Sequence, residues 1–257
     1  MSPSPFEVIC EIEPATTPDL KRVRHQIGIL SMVATTYLIP DNHIGRATVS
    51  SVAVAHEVEA MGGRSIACLN ARDRNLLGFR RDLLTAAAYG VDQFLCVYGD
   101  DPIAGTRTGG MTARTMISEG RAYSSDLSVT TGGAMRFGAV TGLSPLPDWK
   151  READFLFVQI GFDLNAFLAW REEVDVSCPV YAGVLVVPSV TMAQRLSIPG
   201  LSVPPGLLQR LDGDRNAGVD AACELVVGLR DSGSFDGVHL IPTTRYREVA
   251  ARLEREL

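Results

Sequence analysis

Apolar residues along this chain recur in a fixed order: a short apolar run, a polar loop, then a stretch with helical spacing. Eight runs are found, at Glu7–Glu13, Met32–Leu38, Arg64–Leu69, Asp92–Val97, Arg136–Val140, Asp154–Gln159, Pro179–Val186 and Gly237–Leu240. They are rich in β-branched or aromatic residues and bounded by Gly, Pro, Asp or Asn, the pattern of buried strands. Between them, Ala47–Met61 stops at Gly62-Gly63 and Asn75–Tyr89 stops at Gly90, both good helix terminators. Asp214–Leu229 and Thr244–Leu257 predict two more helices. The link from Gly142 to Glu152 is short for a helix and predicts a thin layer there. Strands alternating with helices over 257 residues predict a single α/β domain, residues 1–257, folded as a (β/α)8 TIM barrel. A Rossmann-like sheet is the weaker alternative, because no G-x-G-x-x-G follows the first run.

In such a barrel, function sits where the strands end and the following loops begin. Those positions read Glu11-Ile12-Glu13, Thr36-Tyr37, Arg72-Asp73-Arg74-Asn75, Gly99-Asp100-Asp101, Thr141-Gly142, Gln159 and His239, so polar groups gather at one end. In the first run Phe6, Val8, Cys10 and Ile12 share one parity, while Glu7, Ile9, Glu11 and Glu13 share the other. Strand side chains alternate faces, which predicts the apolar set on the helices and the carboxylates in the barrel. Burial favours the protonated form of a carboxylate, which suits a general acid near neutral pH; the bland alternative is pairing with arginines.

Tyr98 and Asp100 share parity with Phe94 and Cys96, which predicts Asp100 at the mouth, ready to accept from a heterocycle or stabilise a cation, or else to shape a turn. Phe155, Phe157 and Gln159 share a face, placing an amide at the end of an aromatic strand. Arg72 and Arg74 either clamp a carboxylate or phosphate, or satisfy the protein's own carboxylates. The segment Gly105–Gly110 lacks the Walker lysine spacing and reads as a loop.

Composition narrows the function classes. With 24 basic and 30 acidic side chains the net charge is −6, which excludes a generic nucleic-acid binder but not a small anionic substrate. The uncharged stretch from Val176 to Gln194 carries Pro179, Gly183 and Pro188 and predicts no membrane span. No signal peptide is visible, so a cytoplasmic protein is expected. Five cysteines without C-x-x-C spacing argue against disulfides and structural zinc. The histidines form no spaced metal set, no G-x-S-x-G elbow exists, and neither Lys21 nor Lys150 is placed for a Schiff base.

Five segments in order resemble the methylenetetrahydrofolate reductase family, a (β/α)8 barrel family. Val8-Ile9-Cys10-Glu11-Ile12-Glu13-Pro14 is similar to its F-E-F-F-P-P segment, and Gly99-Asp100 with Pro102 to R-G-D-x-P. Gln159-Ile160-Gly161-Phe162-Asp163 is similar to T-Q-F-F-F-D, Gly183-Val184-Leu185 to G-I-L, and Gly237-Val238-His239 through Arg245 to H-F-Y-T-x-N-R. The resemblance implies reduction of 5,10-methylenetetrahydrofolate to 5-methyltetrahydrofolate. It places Glu11 on the general acid, Asp100 on the aspartate near the cationic intermediate, and Gln159 on the glutamine that contacts the pterin.

Glu13, Arg72, Arg74, Tyr98, His239 and Arg245 are further candidates for substrate, and Thr36, Tyr37, Asn75 and Thr141 for cofactor. Where the family's flavin site has an arginine before Gly-Asp, this chain has Tyr98; the tyrosine after the fifth strand and the Y-P-E-x-H segment are also missing. These departures imply a flavin-independent branch using NADH or NADPH as direct hydride donor. The alternatives are an FAD-dependent reductase with a rearranged site and a non-catalytic folate-binding or partner subunit. The expected partners are tetrahydrofolate derivatives, with a homo-oligomer left open.

Overall fold

The computed structural model describes residues 5–131, 134–196 and 201–257; the side chains of 127–131 are outside the description. Eight parallel strands, Glu7–Glu11 (β1), Thr36–Ile39 (β2), Arg64–Asn70 (β3), Gln93–Val97 (β4), Arg136–Thr141 (β5), Leu156–Gly161 (β6), Val180–Leu185 (β7) and Gly237–Ile241 (β8), close into a barrel in chain order. β8 pairs with β1 to complete the ring, with His239 opposite Ile9. The chain is therefore a (β/α)8 barrel.

Helices Lys21–Leu30 (α1), Ser51–Ala60 (α2), Leu76–Ala88 (α3) and Ala113–Thr131 (α4) follow the first four strands. Only a 3-10 turn at Asp148–Glu152 follows β5, which is the thin layer expected there. Leu164–Glu173 (α5) follows β6, and Val190–Arg195 (α6), Pro205–Gly213 (α7) and Ala217–Ser232 (α8) fill the β7–β8 connection. Tyr246–Leu253 (α9) ends the chain against α1 and α8.

The alternating faces of β1 divide as the pattern required. Val8, Cys10 and Ile12 pack outward among the helices, with Phe6 against them. Ile9 faces a separate cluster in the lumen with Leu38, Ile66, Cys68, Leu95, Phe155, Phe157 and Tyr181. Each fully buried aliphatic or aromatic side chain here contributes roughly 1.5–3 kcal/mol of transfer free energy. The barrel floor is polar yet paired. Glu7 accepts from the hydroxyls of Thr36 and of Tyr181, the latter at 2.9 Å. Arg136 donates to Gln93 at 3.3 Å and to the Asp154 carbonyl at 3.2 Å.

Two expectations are corrected. The apolar run Met32–Leu38 is split: α1 runs to Leu30, a turn follows, and β2 begins only at Thr36. Thr36 thus starts a strand instead of ending one. On β4 the parity is reversed: Phe94 and Cys96 belong to the outer core, while Leu95, with Val97 against it, faces the lumen. A parallel strand covered on both sides is apolar on both, so its alternation carries no sign.

Candidate active site

At the C-terminal end of the lumen, β1, β6 and β8 bring together a carboxylate, an amide and an imidazole. Glu11 is the last residue of β1, and its side chain is 16% exposed. Its Oε2 lies 3.2 Å from His239 Nε2, but the nitrogen is not aligned for a hydrogen bond and is buried without a partner among the described residues. The His239 ring stands edge-on to Phe157, with centroids 5.2 Å apart and planes at 78°. Cys68 faces the same space from β3. Burial, then the charge of Glu11, pushes its thiol well above the ordinary range, so it remains a neutral wall group.

Gln159 owes its position to an irregularity. The pairing of β6 with β7 slips between Val158 and Ile160, which leaves Gln159 on a bulge. Bulges re-aim side chains near sites. Gly183 on β7 makes the bulge possible: a Cβ there would lie 2.6 Å from the Val158 carbonyl oxygen and 2.8 Å from the Ile160 nitrogen. The Gln159 amide oxygen lies over Gly142 at the end of β5.

The loops after β2, β3 and β4 form a second polar assembly. Arg72 donates to both Asp73 oxygens at 2.6 and 2.7 Å, and to the Asp100 carbonyl at 2.7 Å. This pairing, with Asn42 and Asn70, holds the Asp73 carboxyl well below the usual carboxylate range. Arg74 is buried against Asp41 and donates to Asp82 at 2.9 Å. Gly99, at φ +86, turns the chain after β4 where a side chain would meet Asn70 and Arg72. These contacts make Arg72 and Arg74 clamps between loops. Their guanidinium groups serve the protein's own carboxylates, the alternative weighed beside substrate binding.

Asp100 stands on the rim, exposed, accepting from the Ile44 N–H at 3.2 Å. The expectation that strand parity turns it into the mouth fails with the reversal on β4; the β2 loop holds it instead. Tyr98 is 58% exposed beside it, with the Arg107 guanidinium 4.3 Å above its ring. Sequence reasoning had left Arg107 in a nondescript glycine-rich loop. Its one signal was being the only basic residue in that loop.

Other candidates fall away from the mouth. Glu13 is on the surface, 3.6 Å from Arg22. Arg245 donates to Asn216 at 2.6 Å and sits 2.9 Å from Glu248, tying the β8 loop to α8 and α9. The four cofactor candidates do not form a cradle. Thr36 binds Glu7 at the floor, and Tyr37 points outward and donates to the Ala34 carbonyl at 3.0 Å. Asn75 caps α3 by accepting from the Gly78 N–H at 2.8 Å, and buried Thr141 donates to the Gly142 carbonyl at 3.3 Å. The hydroxyls of Thr36, Tyr37 and Thr141 and the amide oxygen of Asn75 each bond within the protein, at four separate places in the fold. A cavity of about 330 Å³ lies between the ends of β6 and β7 and helices α7 and α8, lined by Phe162, Leu185, Leu207 and Leu225, away from Glu11.

Among the described residues no His, Cys, Asp or Glu group could hold a metal ion, and no helix is long and apolar enough to cross a membrane. Glu11 can donate a proton from a recessed carboxyl, and the Gln159 amide can donate to and accept from the edge of a heterocycle.

Residues 149–255 match the family model for methylenetetrahydrofolate reductase. No curated protein matches the chain. Among solved structures, an uncharacterised protein from Clostridium thermocellum that binds two copies of 5-methyl-5,6,7,8-tetrahydrofolic acid superposes with a TM-score of 0.68 at 10% identity, covering 99% of this chain and 97% of that one. A tryptophan synthase α-subunit mutant from Pyrococcus furiosus gives 0.58 at 13% identity, over 99% and 98%. A chitinase from Bacteroides thetaiotaomicron gives 0.57 at 12%, over 98% and 96%. Likenesses at such identity establish the barrel and nothing finer.

Proposed function

We propose that this chain, whose residues 149–255 match the methylenetetrahydrofolate reductase family model, reduces 5,10-methylenetetrahydrofolate to 5-methyltetrahydrofolate. The observation that carries the reading is Glu11, a carboxyl recessed in the barrel mouth, which the resemblance of the first strand aligns with the family's acid. Binding of 5-methyltetrahydrofolic acid by the Clostridium thermocellum barrel supports the same ligand class.

In the proposed reaction Glu11 protonates N10, the N10–methylene bond breaks, and a 5-iminium cation remains. NADH or NADPH, as co-substrate, delivers hydride to the methylene carbon, giving the 5-methyl product and the oxidised nucleotide. The protein's part is to supply the proton, orient the pterin through Gln159, and face the cation with a carboxylate. Asp100 is the proposed carboxylate, one of its oxygens already accepting from Ile44. Direct transfer without flavin is supported by Tyr98 in place of the family's arginine and by the missing flavin-contacting tyrosine.

The test is oxidation of NAD(P)H by the purified protein with and without methylenetetrahydrofolate, repeated with Glu11→Gln. Folate-dependent oxidation, lost by roughly 10²-fold or more in the variant, is expected. Oxidation that survives the substitution undiminished removes Glu11 from the mechanism. A stoichiometric flavin absorbance in the purified protein, or ping-pong kinetics, defeats direct transfer.

A further inference from the structure

The mouth contains one group for which the reaction as written has no use. His239 is buried, its Nε2 lacks a hydrogen-bond partner, and that nitrogen sits 3.2 Å from the acid's Oε2. An unpaired buried nitrogen costs free energy and calls for an account. Phe157 fixes the imidazole plane by an edge contact. The backbone contributes as well: His239 pairs with Ile9, so Glu11 lies diagonally across two hydrogen-bonded neighbours. Among the described residues Glu11 has no other ion-pair or hydrogen-bond partner than this ring.

We infer that His239 is the positioning residue for Glu11, and that the two side chains together hold the proton each turnover consumes. This rests on the reductase reading above. After Glu11 gives its proton to N10, it is a carboxylate in a recessed site. The neutral imidazole takes a proton from solvent at Nε2 and, as imidazolium, passes it to Glu11 Oε2, so that both groups return to their starting forms. No other reactant is needed. When the acid is loaded, Nε2 is free to accept from it; when it is spent, Nε2–H is free to donate. A small rotation of the ring aligns the contact in either state.

The other titratable groups facing the pair leave it this role. Cys68, on β3, is held neutral by burial. Asp41 and Arg74, whose charges bear on Cys68, are paired with each other. Glu7 and Tyr181, toward the floor, are hydrogen-bonded together.

The experiment is the pH profile of kcat/KM for folate-dependent NAD(P)H oxidation by the wild type, His239→Gln, Glu11→Gln and the double variant. The imidazole supplies the proton that reloads Glu11, so its loss matters most where protons are scarce. His239→Gln is therefore expected to lower kcat roughly tenfold or more with little change in the folate KM, and to start its alkaline fall at lower pH. The double variant should be no worse than Glu11→Gln, because groups acting as a unit are not additive. If His239→Gln is poorly folded, His239→Ala assayed with added imidazole takes its place, and recovery of kcat is expected.

An unmoved pH profile, a loss confined to KM, additive losses or failure of imidazole to restore kcat would overturn the inference. Absence of folate-dependent oxidation in the wild type removes the reductase reading itself, and with it this inference. An active wild type with an indifferent His239→Gln removes only the inference.

Discussion

The position of Gln159 depends on a glycine in the neighbouring strand, and Gly183→Ala tests that dependence. The new methyl would lie 2.6 Å from the Val158 oxygen, 2.8 Å from the Ile160 nitrogen and 3.0 Å from the Gln159 carbonyl carbon. All three are backbone atoms, which cannot rotate aside, so the β6 bulge or β7 must shift. Overpacking of this kind costs about 1–3 kcal/mol. For a chain of this size that is a fall in Tm of roughly 3–10 °C. The shift also carries Gln159 away from the pterin; loss of about 1 kcal/mol of hydrogen bonding raises the folate KM roughly fivefold. Thermal melting and steady-state kinetics read the two effects. Gly28→Ala is the matched control. It lies exposed within α1 with nothing near its missing Cβ, and should gain about 0.5–1 kcal/mol from helix propensity. If Gly183→Ala melts at or above the wild type with an unchanged KM, the bulge does not depend on that glycine and the account of Gln159 is wrong.

The remaining predictions address the scaffold around the mouth. Arg74→Met removes the charge partner of the buried Asp41 carboxylate and one of the two arginines on Asp82, so a loss of about 3–5 kcal/mol is expected in urea unfolding; an unchanged midpoint would show that the loops do not need the clamp. The Asp73 carboxyl is depressed by Arg72, so its stabilisation is complete above its unfolded value and fades as pH falls through that value toward the lower folded one. Asp73→Asn should therefore flatten the acid limb of the stability curve below about pH 4, and an acid limb of unchanged steepness refutes the pairing. Burial pushes the Cys10, Cys96 and Cys223 thiols up to about 12, so a thiol reagent at pH 8 should label half-buried Cys178 first and the others only on unfolding. Rapid labelling of any of the three in the native protein would contradict their placement.

The barrel was legible in the sequence because each strand run is short and sharply bounded, and because the β5–β6 link is too short for a helix. β1 was legible from Glu7 to Glu11, where carboxylates alternate with apolar residues, but not at Glu13, which lies past the strand's end where alternation no longer holds and faces the surface. β4 was not, since Phe94, Leu95, Cys96 and Val97 are all apolar and either parity satisfies them. β2 failed for a related reason: the apolar turn after α1 and the strand read as one run, which moved Thr36 and Tyr37 from the floor and outer wall to the mouth. Arg72, Arg74 and Arg245 were found as residues but not as partners. Their acceptors Asp41, Asn216 and the Asp100 carbonyl lie on other loops and Asp82 on α3, and a sequence does not display which segments meet.

The same reasoning explains why the Glu11–His239 contact escaped the sequence while both residues were chosen. They lie on the first and last strands, so nothing local links them; only the parallel pairing of β8 with β1 makes them neighbours. The site is thus built across the seam that closes the barrel. A chain with seven strands assembled and the seam open would have buried much of its apolar surface and still have no acid–imidazole pair. Register matters as much as closure. A slip of one residue between β8 and β1 would turn His239 outward among the helices and bring Leu240 into the lumen, because strand side chains alternate. The glycine at the start of β8 guards against that slip, since a Cβ on Gly237 would lie 2.1 Å from the Glu7 carbonyl oxygen. The close approach that places Gly237 opposite Glu7 at the floor therefore sets His239 opposite Ile9, two positions along the same ladder, within reach of Glu11 at the mouth.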